Sequence, residues 1–187
     1  MARMFQSIVS GRRKAWLLML PAALVCAACS PALNWRDTRF PATSFVALLP
    51  CEADHAQRSV PLGGVPTELT MAGCDAGGAT FAVMLANAPA TQANALLQGW
   101  RQATLANIHA QQEQSQAFQP RGGLALPESV RVRTAGNRAD GRSVQMHAIW
   151  AARIAPDSGQ SLLVHAVMYS DKPMPEAAET FFGGLRF

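Results

Sequence analysis

The sequence predicts an α+β domain: an antiparallel β-sheet packed against one long and one short C-terminal helix, after a signal peptide. Three observations carry that prediction. Short apolar or alternating runs recur between turn residues at hairpin spacing. Residues 91–114 are rich in Ala, Gln and Leu, contain no Pro and repeat their apolar positions at helical spacing. The chain also opens on basic residues followed by an uncharged apolar run. With 187 residues, 49% of them hydrophobic and 15% charged, it is long enough for one core and too apolar for a disordered chain.

The opening segment sets the charge arithmetic. Arg3, Arg12, Arg13 and Lys14 precede residues 15–28 (AWLLMLPAALVCAA), which are shorter than the ~20 apolar residues of a spanning helix and are interrupted by Pro21. Residues 1–28 are therefore read as a signal peptide, 29–43 as a Pro-bearing tether and 44–187 as a single domain. Without the leader, 12 Lys and Arg face 12 Asp and Glu. A neutral domain without a basic cluster lacks the footprint of a nucleic-acid binder, and that class is excluded.

The elements follow in order. Residues 44–49 (SFVALL) form a buried strand stopped by Pro50, and residues 58–62 a second strand closed by Gly63-Gly64. In residues 65–72, Val65, Thr67, Leu69 and Met71 share one face, as in a half-exposed strand. Residues 73–78 (GCDAGG) turn the chain into a more buried strand, 79–85. The helix of residues 91–114 takes Thr91 as its N-cap and Trp100 as its anchor on the sheet, with Ala93, Leu96, Leu97, Ala103 and Ile108 in the apolar stripe. Residues 111–127 (with QQEQSQ and RGG) read as a loop. Strands are expected at 130–134, 143–153 and 160–170, the last two joined by a Pro-Asp-Ser-Gly turn. A short helix over 175–182 begins with Pro175 in its first turn and ends before Gly183-Gly184.

Few residues promise chemistry. No Ser lies in GxSxG, and His55, His109, His147 and His165 form neither HxH nor HExxH. If the 156–159 turn pairs Ala155 with Gln160, opposed residue numbers sum to 315. His147 then faces Met168 and His165 faces Trp150, on opposite sides of the sheet, where they share no metal. Arg131 and Arg133, with Arg138 and Arg142 nearby, offer an anion contact, although a solvated strand face is the reading preferred. The glycine pairs match no phosphate loop and read as turns. No catalytic, cofactor-binding or metal-ligating residue is predicted, and no cofactor is implied.

Cys26-Ala27-Ala28-Cys29-Ser30 resembles the lipobox of bacterial lipoproteins, in which small residues precede a Cys that is alkylated by diacylglycerol and becomes the mature N-terminus. Cys26 stands where that pattern usually has Leu. The resemblance implies lipidation at Cys29, palmitate among the acyl chains and, with Ser30 next, an outer-membrane anchor facing the periplasm. Two or more acyl chains, at ~0.8 kcal/mol per buried CH₂, hold a protein at a bilayer where one does not. Cleavage removes Cys26 and acylation consumes Cys29, so Cys51 and Cys74 remain. They sit 23 positions apart with no CxxC, and an oxidising compartment favours a structural disulfide between them.

Four stretches, FVALLPCEAD, GC followed by GATFAV, LLQGWRQATLANI and ETFFGGLRF, resemble small lipoproteins of Gram-negative bacteria that carry no assigned activity. The strand-turn-strand start, central helix and terminal helix are similar to the PsbP-type α/β sandwich, which implies a fold and no function. The expected role is a non-enzymatic binding or accessory module, held at the membrane by its lipid and serving an unidentified envelope protein. A small-molecule or lipid carrier, its sheet and long helix enclosing a pocket, is the alternative, and a cryptic hydrolase comes third.

Overall fold

The structure, a computed structural model, describes residues 32–154 and 159–187. The leader and Cys29 lie outside the described residues. Strands β1 (Arg36–Arg39) and β2 (Val46–Leu49) pair antiparallel as a small two-stranded sheet. Seven more strands make the main sheet: β3 (Asp54–Leu62), β4 (Val65–Ala76), β5 (Ala79–Pro89), β6 (Gln114–Ala117), β7 (Val130–Asn137), β8 (Ser143–Ile154) and β9 (Gln160–Ser170). Their spatial order is β3-β4-β5-β9-β8-β7-β6, with every neighbouring pair antiparallel. Helix α1 (Ala93–Asn107) carries the chain from β5, in the middle of the sheet, to β6 at its far edge. Helix α2 (Pro175–Gly183) follows β9.

The two helices lie on opposite faces of the sheet. On one face, Leu97 and Trp100 of α1 pack with Met146, Ala148, Trp150, Leu163 and Val167. On the other, Phe181 and Phe182 of α2 pack with Phe81, Val83, Ile149, Val164 and the small sheet. The alternation that divides these residues is the period of two along each strand. The Gly63-Gly64 and Gly77-Gly78 turns have positive φ at both central residues (59° and 83°, 59° and 81°). That is the signature of a type I′ hairpin, whose twist matches the flanking strands.

The structure departs from the expected elements in four places, each for a local reason. Strand β1 lies inside the segment expected as a tether. Phe40 is buried (2% exposed) and Trp35 meets Phe81 edge-on at 5.8 Å, so burial of these two rings draws that segment into the fold. Helix α1 is preceded by a 3₁₀ turn (Ala90–Gln92) that includes Thr91; Gln92 occupies the cap position and makes no side-chain cap bond. The helix stops at Asn107 because His109 takes a left-handed φ of 46°, the role usually filled by Gly or Asn. The freed chain then forms β6 within what was expected to be a loop.

Cys51 and Cys74 form a disulfide, with Cα atoms 6.1 Å apart. Cys74 lies within β4, opposite Phe81, rather than in the turn after it. Cys51 follows β2 of the small sheet, so the bond fastens one sheet to the other. Closing a loop of this length contributes about 3 kcal/mol on the chain-entropy account. In Cys51→Ser, the melting temperature should fall by about 10 °C under non-reducing conditions and coincide with the wild type in reductant. An equal difference between the two proteins in both conditions would count against the bond as the source.

Candidate functional site

The register of β6, β7 and β8 assembles a polar platform on the α2 face. Gln114 opposes Arg133, which opposes His147; Gln116 opposes Arg131, which opposes Ile149. Side chains at these positions share one face of the sheet. Arg131 was expected on a solvated face and is instead buried, at 6% exposure. Its guanidinium lies 4.7 Å from the centre of the Phe182 ring, and Nη1 and Nη2 donate to Oε2 and Oε1 of Glu179 at 2.9 and 2.8 Å. This forked pair with an aromatic floor explains how a sheet position can hide a full positive charge.

Two nitrogens of the platform are buried without a hydrogen-bond partner, Arg131 Nε and His147 Nδ1. His147 is 7% exposed. Burial lowers its pKa to about 4, helped by the positive charges of Arg133 and Arg131 and opposed by Glu179. The bond from Arg131 holds the Glu179 carboxyl below the usual carboxylate range. Beside these groups, Gln114, Ser115, Gln116, Arg131 and Arg133 line a cavity of about 90 Å³. Arg138 pairs with Asp171 at 3.2 Å and Arg142 with Asp140 at 2.7 Å.

On the opposite face, His165 sits in an aromatic box. It stacks on Trp150 (centroids 4.7 Å, planes 7° apart) and meets Trp100 edge-on at 5.3 Å. Its Nδ1–H donates to the Ile149 carbonyl oxygen at 3.0 Å, which leaves Nε2 as the unprotonated nitrogen of the neutral ring. Nε2 lies 3.4 Å from Thr104 Oγ1, whose own proton is given to the Trp100 carbonyl at 2.9 Å. Burial lowers the His165 pKa to about 4, with the Ile149 bond acting in the opposite sense. The ring is a neutral core residue.

The structure therefore places His147 and His165 back to back, opposite Met168 and Trp150, in the register inferred from the turn. Cys51 and Cys74 are joined, and Cys29 falls outside the described residues. Sequence reasoning did not find Glu179, Gln114 or Gln116. Glu179 sits on a short helix whose Phe pair drew the assignment to packing, and the two Gln lay in the expected loop. Among the described residues, no three of His, Cys, Asp and Glu gather as metal ligands, and no helix is long and apolar enough to cross a membrane. Comparison with protein families, curated proteins and solved structures finds no match to this chain.

Proposed function

We propose that this chain is a lipoprotein anchored in the outer membrane through Cys29, and that its folded domain faces the periplasm as a non-enzymatic binding or accessory module. The observation that carries the anchoring is the order of residues 1–30: four cations, an uncharged run, then small residues leading into Cys29. The Cys51–Cys74 bond supports the compartment, because such bonds persist where the surroundings are oxidising. Strand β1 begins seven residues after Cys29, so the lipid would hold the domain close to the bilayer. A binding role is supported by the α2 face, where hydrogen-bond donors outnumber the single carboxylate that answers them.

The anchoring is tested by mass spectrometry and fatty-acid labelling of the purified protein, with Cys29→Ala alongside. The wild type should carry acyl chains on residue 29 as its N-terminus. The variant should take up no label and accumulate as precursor or as a released form. Membrane retention of the variant equal to that of the wild type, with no lipid on Cys29 in either, would overturn the reading. Crosslinking of the lipidated protein in the envelope then identifies what the domain touches.

A further inference from the structure

We infer that the platform formed by Arg131, Arg133 and His147 with Gln114 and Gln116 is a binding site for an oxyanion, a phosphate group carried either by a lipid headgroup or by a free ion. The inference rests on the binding-module reading and names what the module binds. It does not rest on the anchoring.

The geometry argues from unspent donors. A guanidinium presents five N–H donors in a planar fork. Glu179 takes one edge of Arg131 through both Nη atoms, and Phe182 covers one of its flat faces. Nε is left over, buried and unpartnered. His147, in the adjoining strand, keeps a buried Nδ1 in the same condition. A buried donor or acceptor without a partner costs about 1–3 kcal/mol, so an oxyanion seated against Arg131 and Arg133 that reached either nitrogen would recover part of that cost.

Charge points the same way. The groups facing His147 are Arg131 and Arg133 on β7 and Glu179 on α2, which sum to a net positive field before the imidazole titrates. Glu179 is spent on Arg131, while Arg133 is exposed beside the cavity. The cavity, about 90 Å³, compares with ~30 Å³ for one water in the liquid. Its size suits a single phosphate group, with the rest of a larger ligand left outside. Gln114 and Gln116 add carboxamide groups from the open side.

The test is a pH titration of the His147 ring by NMR on the full chain, with and without inorganic phosphate. Phosphate should raise the midpoint by about one pH unit or more, because an adjacent anion favours the imidazolium. Arg133→Gln, an exposed position that leaves the fold intact, should weaken phosphate binding about tenfold. Arg142→Gln, already paired with Asp140, should leave it unchanged. Vesicles of phosphatidylglycerol and of phosphatidylcholine separate the two sources. Selective, Arg133-dependent binding to the first assigns a headgroup, and binding of free phosphate without that preference assigns the soluble ion. An unmoved His147 midpoint, or equal losses in the Arg133 and Arg142 variants, would overturn the inference. A partner captured by crosslinking in that case would leave the binding-module reading standing.

Discussion

Trp150→Ala should be among the most damaging substitutions in the domain, lowering stability by about 3–5 kcal/mol. Trp150 is fully buried in the middle of β8, and its indole is one wall of the box around His165. Truncation opens a cavity between α1 and the sheet, and the rigid strand pairs on both sides prevent its collapse. His165 would lose the ring it stacks on and gain nothing in exchange. Trp150→Phe should be far milder, at about 1 kcal/mol. It keeps an aromatic face against the imidazole and removes an indole N–H that is buried without a partner. Urea denaturation at neutral pH checks both. A Trp150→Ala loss no larger than that of Trp150→Phe would show that the stack does not anchor this side of the sheet.

Acid should destabilise the domain between pH 6.5 and 4. His165 has an ordinary pKa of 6.5 when unfolded and about 4 when folded. Above pH 6.5 both states are neutral and the full contribution is present. As the pH falls through this window, the unfolded chain takes up a proton that the folded one resists, so stability declines and levels off below about 4. The shift corresponds to about 3 kcal/mol. His147, lowered to about 4 by burial and by the charges of Arg133 and Arg131 against the opposing Glu179, adds a loss of the same sign. Denaturation curves at several pH values should show His165→Met with a flatter decline than the wild type. An identical pH dependence in the two proteins would assign the acid sensitivity elsewhere.

Much of the main sheet was legible because its signals are local. The Gly-Gly turns, the alternation in β4 and the long apolar runs of β8 and β9 each fix a strand without help from distant residues. The β8–β9 register followed from the turn alone, and with it the separation of the two histidines. What escaped depends on tertiary contact. Strand β6 has four exposed residues, three of them polar, and only pairing with β7 makes it a strand. Thr104 was passed over in favour of Ala103, although it is Thr104 that faces the core and touches His165. Arg131 read as solvated because Val-Arg alternation normally means one wet face. The roof that buries it arrives on α2, 48 positions later.

The path of α1 and the strands after it also sets a cost of assembly. The strands β5 and β9 are neighbours at the centre of the sheet, yet their paired residues stand between 71 and 91 positions apart, from Pro89–Gln160 to Ala79–Ser170. Bringing such distant segments together carries a loop-closure cost that hairpins avoid, and folds with many such contacts form slowly. The β3-β4-β5 meander can form early, but it holds an apolar edge at Phe81, Val83 and Leu85 open until the last fifth of the polypeptide emerges. The middle of the sheet is thus a seam that no hairpin can close.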